Sequence, residues 1–346
     1  MVNNIVESLN DWISKRGTTV EKVSVTILLL VFFLLALPNL FIPIQRDEAV
    51  ILDLASHLPR YSPDVENLPQ GSIEGFYNVS FWYHPPLTPI LMIPFQNIYF
   101  AKLVTLIMTA INFLFAYIFA KKRFGIRIAF GFLAMVCFNP DLIRVATFVW
   151  NDEYMFFFLF FGIMAYELGW QKVSLLSNVF ASNCKISYPF LSFIYFGKNW
   201  RTGIKVVVVS ALSFIPYWLW SWISTSDPLY LAHTWLTIQS HFGGAYRVAL
   251  FPYFKKWYLY LLALLTVGLF TKKIDFRKSK EMIVLVLMSF LVYNNASWSL
   301  IGGIIALSML FSVFVNEIMF HWKLLLVGSY VFLIIPQLLH TVSIQF

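Results

Sequence analysis

The sequence predicts an all-α integral membrane protein of about eleven transmembrane helices, with amphipathic surface helices in a long first outer loop. Three observations lead to this prediction. Hydrophobic residues make up 59% of the 346 residues and charged residues only 12%, a far smaller charged share than soluble domains carry. Long apolar runs recur along the chain, beginning near Val23. The 36 Phe and 12 Trp residues suit lipid contact and the aromatic belts of membrane interfaces.

The apolar runs define the expected spans. They fall at about 23–42, 100–120, 126–141, 153–170, 173–184, 186–197, 203–223, 256–271, 281–294, 298–315 and 323–341. Several are short or broken, which is possible only where protein or water covers the exposed backbone. We expect residues 1–346 to form one polytopic membrane domain without an appended soluble domain.

The basic residues predict the topology. With the N-terminus in the cytoplasm, most of the 25 Lys and Arg residues fall in the short inner loops, so the positive-inside rule favours an N-in, C-out arrangement. This distribution explains the net charge of +8 without a nucleic-acid partner. The two cysteines, Cys137 and Cys184, lie in apolar runs and indicate neither a disulfide framework nor a metal cluster.

Two outer segments, at about 43–98 and 224–256, are too long to be simple turns, and we expect function on that face. In the first, one helical stripe is formed by Val50, Ile51, Leu54, Ala55 and Leu58. The stripe predicts a helix along the membrane surface that ends at Pro59. The later stretch FWYHPPLTPILMIPF (81–95) is rich in Pro and predicts a second surface or re-entrant helix.

Carboxylates at the outer membrane surface are the main catalytic candidates. Asp47 and Glu48 begin the surface helix, and Asp152 and Glu153 lie at the outer mouth of the fourth span. Helix capping by Asp47 and by Asp152 is the alternative explanation. Ionisable groups at the edge of the hydrocarbon are costly, however, and are often functional.

Cationic and histidine side chains on the same face are candidates for substrate binding: Arg46, His84, Lys185, His241 and Arg247. Lys185 lies inside the apolar stretch NVFASNCKISYPFLSFIYFG, where an ammonium must either snorkel to the interface or find an anionic partner. That partner is an Asp or Glu side chain or a ligand phosphate. The histidines lack metal-type spacing. A divalent cation shared by Asp47, Asp152 and His84 stays open, and no other cofactor is indicated.

The order of these motifs resembles the GT-C superfamily of polytopic glycosyltransferases, over roughly residues 25–270. A first span is followed by RDEA opening a surface helix, then by YHPPL, and then by an acidic pair above the fourth span. NCKISYPFLSFIYF and HFGGAYRVALFPYFKKWYLYLL are similar to further family segments. The branch that the chain resembles holds protein O-mannosyltransferases and the lipid A aminoarabinose transferase.

The resemblance implies an inverting transfer of a sugar from a polyprenyl-phosphate donor to a hydroxyl of a lipid, glycan or protein acceptor, on the extracytoplasmic side of a cell or ER-type membrane. Asp47 matches the family's catalytic carboxylate and Glu48 is its neighbour in the motif. Asp152 or Glu153 would orient the acceptor or assist the base. Lys185 and Arg247 would stabilise the leaving phosphate.

Two other functions fit parts of the same pattern. A transporter or flippase of a lipid-linked or anionic substrate would explain charges within broken helices, although no inverted repeat is visible. A polymerase or ligase of lipid-linked glycans would place its key arginines and histidine in a large late loop. The acidic pairs come early in this chain, which favours the GT-C interpretation.

Overall fold

The computed structural model of the protein describes residues 19–62, 81–82, 84–185, 192–197, 199–234, 256–292 and 301–343, and regular structure in these ranges is helical, with no β-strand. The α-helices, in chain order, are α1 (Thr19–Ala36), α2 (Arg46–Ser56), α3 (Leu87–Met92), α4 (Ile98–Phe124), α5 (Ile126–Cys137), α6 (Pro140–Val145), α7 (Asn151–Glu167), α8 (Gln171–Ser182), α9 (Trp200–Ser213), α10 (Ile215–Thr225), α11 (Lys256–Phe270), α12 (Phe276–Val292), α13 (Ile301–Asn316) and α14 (Phe320–Ser343). Short 3-10 helices lie at Leu37–Phe41, Ile93–Phe95 and Ser192–Gly197.

Four helical stretches are long and apolar enough to cross a membrane. They are Thr19–Phe41, Ile98–Phe124, Trp200–Thr225 and His321–Leu339, and α5 with parts of α11 and α13 form shorter apolar helices. Large apolar side chains such as Leu30, Leu212 and Phe332 are more than half exposed, as expected for surfaces covered by lipid. The chain is therefore an integral membrane protein. Eleven spans and the N-in orientation remain predictions.

Helices α1 and α4 run antiparallel and define two ends of the helical bundle. At one end, Lys102 Nζ on α4 donates to the carbonyl of Ile42, just after α1, at 2.7 Å. At the other end, Glu21 on α1 accepts from Tyr117 Oη at 2.8 Å and from Lys121 Nζ at 2.5 Å. We call the end with Lys102 the site end and the end with Lys121 the opposite end.

Helices α7 and α8 form an antiparallel hairpin that returns the chain to the site end. Gly169, at φ +86°, lies in the turn between them, a backbone conformation that favours glycine. Gly162 on α7 allows the close approach of α8, because an added Cβ would lie 3.2 Å from Asn178 Nδ2. Asn178 in turn donates to Tyr195 Oη at 3.0 Å. The hairpin thus brings the residues after α8 next to the start of α7.

The predicted surface helix is present as α2, but its apolar stripe packs against protein. Ile51 and Ala55 join the main core, whereas Val50 and Leu54 join an aromatic cluster of Tyr61, Phe81, Trp82 and Tyr217. These four residues are nearly fully buried, and Leu58, the fifth residue of the stripe, is partly buried against the aromatic cluster. Helix α3 and the following 3-10 turn fulfil the expectation of a short second helix in the Pro-rich stretch. Helix α2 is therefore fixed to the bundle at the site end.

Candidate functional site

The first acidic pair lies in the first turn of α2, and its two members have different surroundings. Glu48 forms a capping box with Gln45, whose backbone N–H donates to Glu48 Oε2 at 2.6 Å. This contact satisfies a backbone donor that the helix start would otherwise leave without a partner. Glu48 is fully buried, whereas Asp47 is partly exposed. The structure thus turns Glu48 into the protein and leaves Asp47 accessible.

Glu48 joins three separate segments of the chain. Its Oε1 accepts from the backbone N–H of Val149 at 3.1 Å, and its Oε2 lies 3.4 Å from Lys102 Nζ, which is also fully buried. Burial raises the pKa of the Glu48 carboxyl above its ordinary value, although the Gln45 N–H, Lys102 and the Val149 N–H act in the opposite direction. Since Val149 directly precedes α7, Glu48 fixes the start of α2 beside the start of α7.

The second acidic pair opens α7. Asp152 and Glu153 lie in its first turn, where the helix macrodipole favours negative charge. Lys185 follows α8 and donates to Asp152 Oδ2 at 2.5 Å, and the two side chains are only 11% and 2% exposed. The anionic partner expected for Lys185 is therefore the carboxylate of Asp152. A buried pair of this kind keeps both charges at a fixed position.

Glu153 differs from Asp152 in its contacts. Its Oε1 and the Oδ1 of neighbouring Asn151 are both buried and have no hydrogen-bond partner in the part of the chain that is described. Both residues are 6% exposed. Buried acceptors without a donor are costly, and such groups at a helix start are suited to a hydroxyl or other donor from a ligand.

His84 lies on a backbone segment held from two sides. Tyr61 Oη donates to the His84 carbonyl at 2.7 Å, and Tyr217 Oη donates to the Trp82 carbonyl. Burial, followed by the nearby charge of Lys185, holds the pKa of the His84 imidazole well below its usual range. His84 is therefore neutral near pH 7 and lies within electrostatic reach of Lys185.

Six of the nine predicted site residues have described side chains, and five of them form one connected region at the site end: Glu48, His84, Asp152, Glu153 and Lys185. Asp47 is joined to the region through its neighbour Glu48. Arg46 begins α2, but its side chain is not among those that the structure describes. His241 and Arg247 lie outside the described residues. Sequence reasoning missed Lys102 and Asn151. Lys102, the fifth residue of the apolar helix α4, does indicate a buried ion pair in the sequence, because a buried ammonium requires an anionic partner.

No group of three His, Cys, Asp or Glu side chains among the described residues could hold a metal ion. The shared divalent-cation site considered for Asp47, Asp152 and His84 therefore has no ligand set in this part of the chain. The chemistry proposed below uses side chains alone.

Comparison with known proteins shows the fold. Neither a protein-family model nor a curated protein sequence matches the chain. Among solved structures, it is similar to ArnT from Cupriavidus metallidurans in the apo state, with 15% identity and a TM-score of 0.54 over 90% of this chain and 61% of that chain. The same protein bound to undecaprenyl phosphate gives 16% identity and 0.57, over 89% and 62%.

The Archaeoglobus fulgidus oligosaccharyltransferase, in complex with Zn and sulfate, gives 9% identity and a TM-score of 0.53, over 92% of this chain and 53% of that chain. The chain thus spans about three fifths of the length of the ArnT structures. Its described helices have the arrangement found in these membrane proteins, the GT-C fold.

Proposed function

We propose that this protein is an inverting glycosyltransferase that moves a sugar from a polyprenyl-phosphate donor to an acceptor hydroxyl. The fold supports a transferase of the GT-C type, since its solved neighbours include ArnT, one structure of which is bound to undecaprenyl phosphate, and an oligosaccharyltransferase. The observation that carries the proposal is the convergence of two acidic pairs and Lys185 at one end of the bundle, linked by the contact between Glu48 and Val149.

Asp47 is the general base in this mechanism. The acceptor O–H gives its proton to the Asp47 carboxylate while the oxygen forms a bond to the anomeric carbon of the sugar. The bond between that carbon and the phosphate oxygen breaks, and polyprenyl phosphate leaves with the electron pair. One displacement inverts the anomeric centre. Asp47 suits this role because it is partly exposed, whereas Glu48 is committed to three contacts and acts as a positioning residue.

Glu153 and Asn151 receive the acceptor in the same scheme. Their buried acceptor atoms would take hydrogen bonds from sugar or peptide donors, so binding removes the cost of leaving them without a partner. Asp152 holds the Lys185 ammonium in place, and Lys185 stabilises the developing charge of the leaving phosphate. Arg247 would add a further donor to that phosphate, and Arg46 and His241 remain candidates for substrate binding.

We place the reaction on the extracytoplasmic face, because the basic residues that favour the cytoplasm lie mainly at the opposite end, including Lys121, Arg123 and Arg127. The acceptor is a lipid, a glycan or a protein.

The experiment uses the purified full chain in vesicles, supplied with labelled polyprenyl-phosphate sugars and membrane acceptor extract. Asp47→Asn should retain the donor lipid, detected by mass spectrometry, while transfer falls by about 10²- to 10⁴-fold. Asp53→Asn is the matched control, because Asp53 lies later on the same helix α2 and forms ion pairs with His57 and Arg60. Wild-type transfer by Asp47→Asn would rule out the proposed base. Movement of label across the vesicle without any glycosylated product would identify a transporter instead.

A further inference from the structure

A groove of about 530 Å³ lies between α5, α13 and α14, away from the candidate site. Its floor is the contact between α5 and α13 at Gly131, where an added Cβ would lie 3.3 Å from Ser312 Oγ. Its open side is bordered by α14, which is the least buried of the candidate spans. The groove therefore faces the hydrocarbon of the bilayer and is open to a chain entering from it.

The groove is long, narrow and almost entirely apolar along its length. On α14 its lining extends from Lys323 to Leu338, and 15 helical steps correspond to about 22 Å. One leaflet of hydrocarbon is about half of 30 Å thick, so the groove is long enough for an extended lipid chain. Val327, Val331 and Ile335 on its wall are 43%, 44% and 46% exposed. Such a surface makes favourable van der Waals contacts with a hydrocarbon chain that fills the groove.

Two cations close one end of the groove. Arg127 and Lys323 belong to its lining, and Lys323 Nζ donates to the carbonyl of Asn316 at 2.9 Å. No acidic side chain in the described ranges forms an ion pair with either cation. Arg127 follows the end of α4 that is remote from Lys102, and α4 is 27 residues long. The cations therefore lie at the opposite end, one membrane thickness from the site where a donor phosphate is proposed.

We propose that this groove binds one anionic glycerophospholipid of the leaflet at the opposite end, with an acyl chain along α14 and the phosphate on Arg127 and Lys323. The combination of an apolar channel with two cations at its mouth complements a lipid that carries a negative head group. A zwitterionic lipid such as phosphatidylcholine would also fill the channel, but its head-group cation would oppose the positive charge of Arg127 and Lys323, so a lipid of net negative charge is favoured. We assign the groove to a membrane phospholipid rather than to the polyprenyl donor, because the donor phosphate is proposed to bind at the other end of the bundle.

The test measures phospholipid bound to the purified full chain in nanodiscs, by native mass spectrometry. Discs of phosphatidylcholine alone are compared with discs that also contain phosphatidylglycerol. Arg127→Gln/Lys323→Gln should weaken selective retention of phosphatidylglycerol by about 25-fold, because each cation near anionic lipid contributes about fivefold. Lys205→Gln is the charge control, since Lys205 is exposed on α9 and does not line the groove.

A second pair of variants tests the channel separately from the cations. Val327→Trp fills the groove and should displace the lipid, whereas Leu325→Trp changes an exposed residue of the same helix that does not line it. Equal retention of phosphatidylcholine and phosphatidylglycerol by the wild type would overturn the proposal. Unchanged retention in Val327→Trp, a polyprenyl phosphate in place of the phospholipid, or a second copy of the chain covering the groove would also overturn it. The Asp47→Asn variant should bind the phospholipid normally, which separates this result from the proposed transfer.

Discussion

The buried ion pair between Lys185 and Asp152 permits a quantitative test of the candidate site. Lys185→Met removes the ammonium and leaves the Asp152 carboxylate, which is 2% exposed, without its cation at 2.5 Å. Removing one partner of a buried pair destabilises proteins by about 3–5 kcal/mol. If the carboxylate instead takes up a proton, the cost at pH 7 is about 4 kcal/mol. This is because pH 7 lies about three units above an ordinary Asp pKa near 3.9, and each unit corresponds to about 1.36 kcal/mol. The two routes give the same magnitude.

The assay is a double-mutant cycle on the free energy of unfolding, followed by SDS titration in detergent micelles. Asp152→Asn in the Lys185→Met background should restore most of the lost stability, because neither position of the pair then carries a buried charge. Asp227→Asn is the control, since it breaks an exposed pair with His233 and should leave the unfolding curve unchanged. Additive effects of the two single substitutions would refute the reasoning, because independent residues do not share an ion pair.

Three further predictions concern the surroundings of the site. The folded-state pKa of His84 is depressed, so the protein loses stability as the pH falls below the unfolded-state pKa near 6.5, where only the unfolded state readily takes up the proton. His84→Gln should reduce this loss between pH 7 and 5, by up to about 1.4 kcal/mol per pH unit, in melting curves recorded over a pH series. Tyr61→Phe removes the hydrogen bond to the His84 carbonyl and should cost about 1 kcal/mol by SDS titration, more than an exposed Tyr99→Phe control. Gly162→Val should destabilise the α7–α8 hairpin by about 1–3 kcal/mol in the same titration, whereas Gly328→Val, where no atom lies within 4 Å, should be tolerated.

The local features of the site were readable from the sequence. The spacing of Val50, Ile51, Leu54 and Ala55 predicted α2, and the structure confirms a helix over Arg46–Ser56. The pattern did not reveal what covers the stripe, because lipid and protein both accept apolar side chains. The covering groups include Tyr61 and Tyr217, which are distant in sequence and depend on tertiary packing.

The helix break within the apolar run 126–141 also has a signal in the sequence. Asn139 Oδ1 accepts from the N–H groups of Asp141 and Leu142, and Pro140 occupies the first turn of α6. Asn followed by Pro is a frequent helix start, so this dipeptide marked the boundary. By contrast, the contact of Glu48 with Val149 joins residues 101 apart, and no local pattern encodes it.

The Glu48 network also bears on how the protein assembles as it is synthesised. Lys102 would be expensive to insert with α4 as a lone ammonium, but Glu48 is made 54 residues earlier and can accompany it into the bilayer as an ion pair. The contact with Val149 can form only after α5 and α6 have emerged. The N-terminal helices would thus enter the membrane with Lys102 and Glu48 already paired. The site would be completed later, when α7 is inserted. Substituting Glu48 should therefore lower the yield of inserted protein before any effect on transfer can be measured.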